Sequence, residues 1–208
     1  AFMWRSADER FVLKSLTAQE VATFRRIAAD YADYLETAGD RSLLVRFLGL
    51  YRVRWSAAAP PLSMVLMLNL VPGTPEARFD LKGSWIHRGG QPGSRDSLGL
   101  DLDLTTSVGL HPVGQRRLLS CLARDTAFLA DHNLMDYSLL LARLPDSSRH
   151  TTHVNLTQGT IRTSPTGIHL LLDTSNAPWS AAILDILQPY NLAKKLERVA
   201  KTYGNCAD

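Results

Sequence analysis

Residues 10–20, RFVLKSLTAQE, constrain this chain more than any other stretch. The first seven alternate as a strand does, with Phe11 and Leu13 on one face and Val12, Lys14 and Leu16 on the other. The next four, TAQE, form a capping box, in which a threonine and the glutamate three residues on satisfy each other's backbone donors at a helix start. A helix is predicted from there to about residue 37, because Val21, Phe24, Ile27, Ala28, Tyr31 and Leu35 recur at the spacing of one helical face.

Further along, residues 43–53 and 62–70 read as strands separated by the loop RWSAAAPP. Beyond Pro72 and Gly73, residues 78–86 read as a strand and 88–97 as a flexible loop. Residues 112–131 read as a helix with Leu118, Leu119, Leu122 and Leu129 directed inward, and 137–144 as a short strand. A hairpin is expected around 164–167, then a strand over 168–172, a buried strand over 181–187 and a basic amphipathic helix from 191. Strands with one capped helix, then helices mixed with strands, imply an α+β fold in two lobes, 1–70 and 71–208, that together make one domain.

Composition excludes little. A chain of 208 residues, 45% hydrophobic and 21% charged, can bury an ordinary globular core without staples. Its two cysteines, Cys121 and Cys206, lie far apart, which argues against a disulfide framework or a zinc site and fits a reducing compartment. The longest apolar stretch, 62–71, is about half the length needed to span a bilayer. A net charge of +3 suits an anionic partner better than a cationic one, and nucleic acid is not an expected partner. The chain opens on alanine in mid-pattern and is expected to be a fragment.

Three charged residues stand out against apolar surroundings. Lys14 lies in mid-strand, where an ammonium either snorkels to water or is held against phosphate or carboxylate. Asp136, in DHNLMDYSLLL, is either a turn or cap residue or an acid mounted rigidly on the strand behind it. Asp185, in AAILDILQ, lies inside an apolar run, and a buried lone carboxylate is costly unless paired or metal-bound. A lysine that grips phosphate, an aspartate that handles the nucleophile and a later aspartate that holds Mg²⁺ is the order found in phosphoryl-transfer enzymes. The protein-kinase signatures HRD and DFG are absent.

Four segments in order, DERFVLKSL, FDLKGSWIHR, DHNLMDYSLLL and ILDILQPYNLAKKLERVAKT, resemble the successive motifs of the phosphatidylinositol phosphate kinase family. The resemblance spans essentially the whole chain and implies a two-lobed lipid-kinase fold distantly similar to protein kinases. It makes Lys14 similar to the ATP-phosphate lysine and Glu20 to its helix partner. Asp136 is then similar to the aspartate that positions or deprotonates the inositol hydroxyl, and Asp185 to the Mg²⁺-binding aspartate. Lys82 would point to the reacting phosphates; its other reading is a strand-surface lysine in a turn held by Asp80 and Ser84. Asn69 and Leu70 fall at the hinge that meets adenine through backbone groups. Arg78 and Arg88, with Lys194 and Lys195, are candidate contacts for phosphates of lipid or membrane, or else solvated surface charges.

The implied activity uses ATP and Mg²⁺ to phosphorylate phosphatidylinositol 4-phosphate on its 5-hydroxyl, since the tail LQPYNLAKKLERVAKT is closer to the 4-phosphate 5-kinases than to the 5-phosphate 4-kinases. A 5-phosphate 4-kinase is the first alternative. An inactive lipid-binding or scaffolding module is the second, and the retained Lys14, Asp136 and Asp185 argue against it. The implied partner is a phosphatidylinositol monophosphate in an anionic membrane, met by a cytoplasmic protein peripheral at the cytosolic face; a homodimer is compatible with this. Relatives carry a glycine-rich loop before the lysine strand and an activation loop after the tail helix, and both would lie outside the present sequence. Fewer residues separate Asp136 from Asp185 than in larger members.

Overall fold

The computed structural model describes residues 1–71, 73–86, 88–89, 98–105, 107–145, 162–163 and 169–190. The first sheet is antiparallel, with strands β1 (Met3–Arg5), β2 (Phe11–Ser15), β3 (Phe47–Val53) and β4 (Leu62–Leu68) in the order β1-β2-β4-β3. Helix α1 (Ala18–Ala38) follows β2 through the capping box: Thr17 Oγ1 accepts from the Glu20 amide at 3.2 Å, and Glu20 Oε2 accepts from the Thr17 amide at 2.8 Å. The helix packs its apolar face on this sheet, where Phe24 and Tyr31 both meet the Phe47 ring at 5.4 Å.

The second sheet collects the strands from residue 77 onward. Strands β5 (Ala77–Leu81), β6 (Leu98–Gly99), β8 (Ser138–Arg143), β9 (Arg162–Thr163), β10 (His169–Leu172) and β11 (Pro178–Leu184) lie in the order β6-β5-β8-β11-β10-β9, antiparallel except for the β5–β6 pair. Helix α2 (Pro112–Asp131) starts on a proline, whose missing N–H costs nothing at a helix start. A short ladder joins β7 (Leu134–Met135) to β12 (Gln188–Pro189). Among the described residues no helix is long and apolar enough to cross a membrane.

One core runs through both sheets, from Ile27, Tyr31 and Val65 to Leu129, Ile183 and Ile186. Backbone bonds reinforce the junction. The Val45 amide donates to the Ile183 carbonyl at 2.9 Å, and the Ile183 amide donates to the Leu43 carbonyl at 2.7 Å. Tyr31 donates to the Val45 carbonyl and accepts from the Phe47 amide; burial pushes its phenol up to about 12, which keeps the donor proton in place. Helix α1 is also strapped along α2. Arg26 donates to the His132 carbonyl at 3.0 Å, His132 meets Asp30 at 3.1 Å, and Tyr34 stacks on Phe128 with centroids 4.4 Å apart.

The predicted helices match to within a residue, but several strands are shorter than predicted. Residues 43–46 precede β3, where Leu44 forms only a single bridge to Ile183. The strand predicted over 78–86 ends at Leu81, because Gly83 turns the chain at φ +67°. The strand predicted over 181–187 runs instead from Pro178 to Leu184. Leu119, predicted to face inward, is 56% exposed; it lies one residue round from the buried stripe, which passes through Cys121, Asp125, Phe128 and Leu129. The hairpin expected at 164–167 and the helix expected from 191 lie outside the described residues.

Candidate active site

Sheet register brings the two candidate aspartates together. The β8–β11 ladder closes on the pair Ser138 and Leu184, and the β7–β12 ladder resumes with Met135 and Gln188. Asp136 and Tyr137 fill the gap on one side, and Asp185, Ile186 and Leu187 fill it on the other. Both aspartates occupy the left-handed region, Asp136 at φ +58° and Asp185 at φ +59°. Asp tolerates that conformation better than most residues, and paired left-handed turns on facing strands mark a constrained site. Ile186 and Leu187 plug the core behind the gap.

The left-handed turn also corrects an expectation. The apolar run around Asp185 implied a buried carboxylate, whereas its side chain is 51% exposed. The turn rotates this one residue out of the strand while its neighbours stay inside.

Lys14 meets Asp185 from the first sheet. It stands on β2 between Met3 of β1 and Val65 of β4, with its side chain only 16% exposed. Its Nζ donates to Asp185 Oδ1 at 2.6 Å and lies 3.8 Å from Glu20 Oε1. Glu20 therefore does two things: it closes the capping box with Oε2 and faces Lys14 with Oε1. The helix cap thus fixes the acid that flanks the lysine.

Lys82 arrives at the same end of the second sheet. The last pair between β5 and β8 is Leu81 with Leu139, which sets Lys82 level with Ser138 and Leu184. Its turn is held by Asp101, a residue that sequence reasoning missed. Asp101 Oδ1 accepts from the Lys82, Gly83 and Ser84 amides at 3.0, 2.7 and 3.2 Å, and its Oδ2 accepts from Arg88 Nε at 2.8 Å. Partial burial would raise the Asp101 carboxyl, but the Arg88 guanidinium and the three amides outweigh it and hold it below the usual range.

Other candidates stand elsewhere. Arg88 also donates to Asp80 Oδ1 at 2.6 Å, so two carboxylates engage its guanidinium. Arg78 is paired with Ala142, four residues up β8 from Ser138, or about 13 Å along the strand. The Asn69 side chain donates to the Glu9 carbonyl at 2.7 Å, tying the turn before β2 to the end of β4. Leu70 is buried, and its carbonyl accepts from Ser180 Oγ of β11 at 2.6 Å. Lys194 and Lys195 lie outside the described residues.

Asp136 and Asp185 offer hard oxygen donors of the kind Mg²⁺ takes from one or two carboxylates together with substrate phosphates. Among the described residues no group of three or more His, Cys, Asp or Glu side chains could hold a metal ion by itself. The donor set fits an ion completed by phosphate, not a closed structural site.

Lys14 is thus braced between Glu20 of α1 and Asp185 at the end of β11, beside the facing turn of Asp136. A profile of the family described as Phosphatidylinositol-4-phosphate 5-Kinase matches residues 1–175, and the chain belongs to that family. It is 36% identical to phosphatidylinositol 4-phosphate 5-kinase 9 of Arabidopsis thaliana over 65% of this chain and 17% of that protein. It is 28% identical to 1-phosphatidylinositol 3-phosphate 5-kinase of Homo sapiens over 98% of this chain and 9% of that protein. It is 25% identical to phosphatidylinositol 5-phosphate 4-kinase type-2 gamma of Xenopus tropicalis over 95% of this chain and 58% of that protein. The chain therefore spans only part of the length of each of these relatives.

Proposed function

We propose that this chain is the catalytic part of a lipid kinase that transfers the γ-phosphoryl group of ATP to the 5-hydroxyl of phosphatidylinositol 4-phosphate. The observation that carries the reading is the 2.6 Å contact of Lys14 with Asp185, made across the lobes beside the turn of Asp136. Lys14 grips nucleotide phosphate, held at its angle by Glu20. Asp185, with Asp136 near it, would hold Mg²⁺, which supplies neutralisation of phosphate charge when bound. Asp136 orients the inositol hydroxyl and accepts its proton. Lys82 stands level with this turn and steadies the phosphates that develop charge. Positioning and preorganised electrostatics supply most of the rate. The lipid is met on an anionic membrane, with the protein peripheral at its cytosolic face.

A second reading takes the 3-phosphate lipid as acceptor; the alignment over 98% of this chain with a 3-phosphate 5-kinase favours it. The deciding experiment gives the full-length protein ATP, Mg²⁺ and each of the three phosphatidylinositol monophosphates in separate anionic vesicles, and identifies the bisphosphate formed. Fastest formation of the 4,5-bisphosphate from the 4-phosphate is expected. Preferred formation of the 3,5-bisphosphate selects the second reading, and no turnover on any lipid removes both.

A further inference from the structure

The far side of the α1–α2 seam carries a second concentration of charge. A cleft of about 380 Å³ opens there, lined by Arg41, Arg116, Arg117 and Arg124, with Ser120 and a single carboxylate, Asp40. Asp40 faces Arg117 at 2.8 Å, so the cleft keeps three cations in excess. Arg116, Ser120 and Arg124 follow one another at four-residue spacing, which stacks them on one face of α2. Across from them, Arg41 donates to the Thr37 and Ala38 carbonyls at 3.1 and 3.3 Å, so its guanidinium is fixed by neutral groups. Among the described residues no carboxylate pairs with Arg116 or Arg124 in a salt bridge.

We propose that this cleft is a binding site for a multiply charged phosphate group, separate from the phosphoryl-transfer site. Guanidinium forks match phosphate oxygens in pairs, and a concave wall of one sign concentrates anions. The concavity suits a small polyphosphate. From Arg116 to the end of α2 at Asp131 is about 22 Å of helix, and Asp136 lies beyond that end. Tyr34 lines an adjoining hollow together with Arg41 and Arg124, and its hydroxyl donates to the buried Asp125, so an occupant would brace the seam from outside.

The test uses the full-length protein carrying Lys14→Met, so that phosphate binding at the nucleotide site is weakened and no turnover is needed. Pyrophosphate binding is measured by calorimetry with and without Arg116→Gln/Arg124→Gln. The double substitution is expected to weaken binding about tenfold or more, as loss of charge-assisted hydrogen bonds does. Arg116→Lys/Arg124→Lys, which keeps charge but loses the fork, is expected to fall between and covers the case in which the glutamine variant does not fold. Inositol hexakisphosphate in solution and phosphatidylcholine vesicles containing phosphatidylinositol 4,5-bisphosphate separate a free ligand from a lipid headgroup. Arginine-dependent binding of either one supports the site and names the source. Equal pyrophosphate affinity with and without the arginines, or no binding once Lys14 is replaced, overturns the proposal.

Discussion

Asp125 lies on the buried stripe of α2 and Asp185 within an apolar run of sequence, and the fold gives them opposite fates. Asp125, on the inward stripe of α2, is 0% exposed and accepts from Tyr34 Oη at 2.5 Å and from the Leu43 amide at 2.6 Å. Burial is the largest influence on its carboxyl and pushes it up, against hydrogen bonds from Tyr34, Leu43 and Ser42 that pull it down. Asp185 is half-exposed, reaches Lys14 of the first sheet, and owes its exposure to a left-handed backbone turn. A carboxylate that holds the structure together is enclosed and saturated by neutral donors. Asp185 is instead turned outward and paired with the Lys14 ammonium.

Substitutions can break that contrast. The largest effect is expected for Lys14→Met, which removes the partner of Asp185: phosphoryl transfer should fall about 10²- to 10³-fold. Thermal unfolding should hardly move, because water solvates the half-exposed carboxylate left behind and such pairs contribute about 0–1 kcal/mol. Asp125→Ala should do the reverse. Its loss strands the Tyr34 hydroxyl and the Leu43 amide, and urea titration should show about 3 kcal/mol less stability with turnover retained in the folded protein. Asp101→Ala lies between the two, since it loosens the turn that carries Lys82. About 1–2 kcal/mol of stability should go, and kcat should fall more than the affinity for ATP.

The smallest effect is a pH dependence. Because the folded protein holds the Asp125 proton more tightly than the unfolded chain does, the stabilisation linked to that proton is complete below the ordinary carboxylate range and is lost as pH rises through the raised value. Asp101 and Asp173 are lowered, so their contributions run the other way and are lost as pH falls. Unfolding measured across the acid range should therefore show Asp125→Asn losing the limb that declines with rising pH and keeping the limb that declines with falling pH.

Much of this was readable in the residues. The capping box marked the start of α1 and with it Glu20, and Lys14, Asp136 and Asp185 stand in order within the quoted motifs. Local chemistry decides such features, so local sequence records them. Strands β6, β7 and β12 are two residues long and exist only because their neighbours supply partners, which no periodicity can show. The exposure of Asp185 depends on one backbone angle within an apolar run. The link of Asp101 to Arg88 and Lys82 depends on the path of a connection between strands. Asp125 had a visible signal, since positions 118, 122, 125 and 129 make one helical stripe; an acid on that stripe had to be buried.

The most direct test compares Asp185→Asn with Asp125→Asn in the full-length protein, measuring phosphate transfer from ATP to phosphatidylinositol 4-phosphate alongside thermal unfolding. Asp185→Asn should lose about a thousandfold in rate at an unchanged melting temperature, and Asp125→Asn should shift the melting temperature at a nearly unchanged rate. Transfer by Asp185→Asn at the rate of the unaltered protein would contradict the assignment of the site.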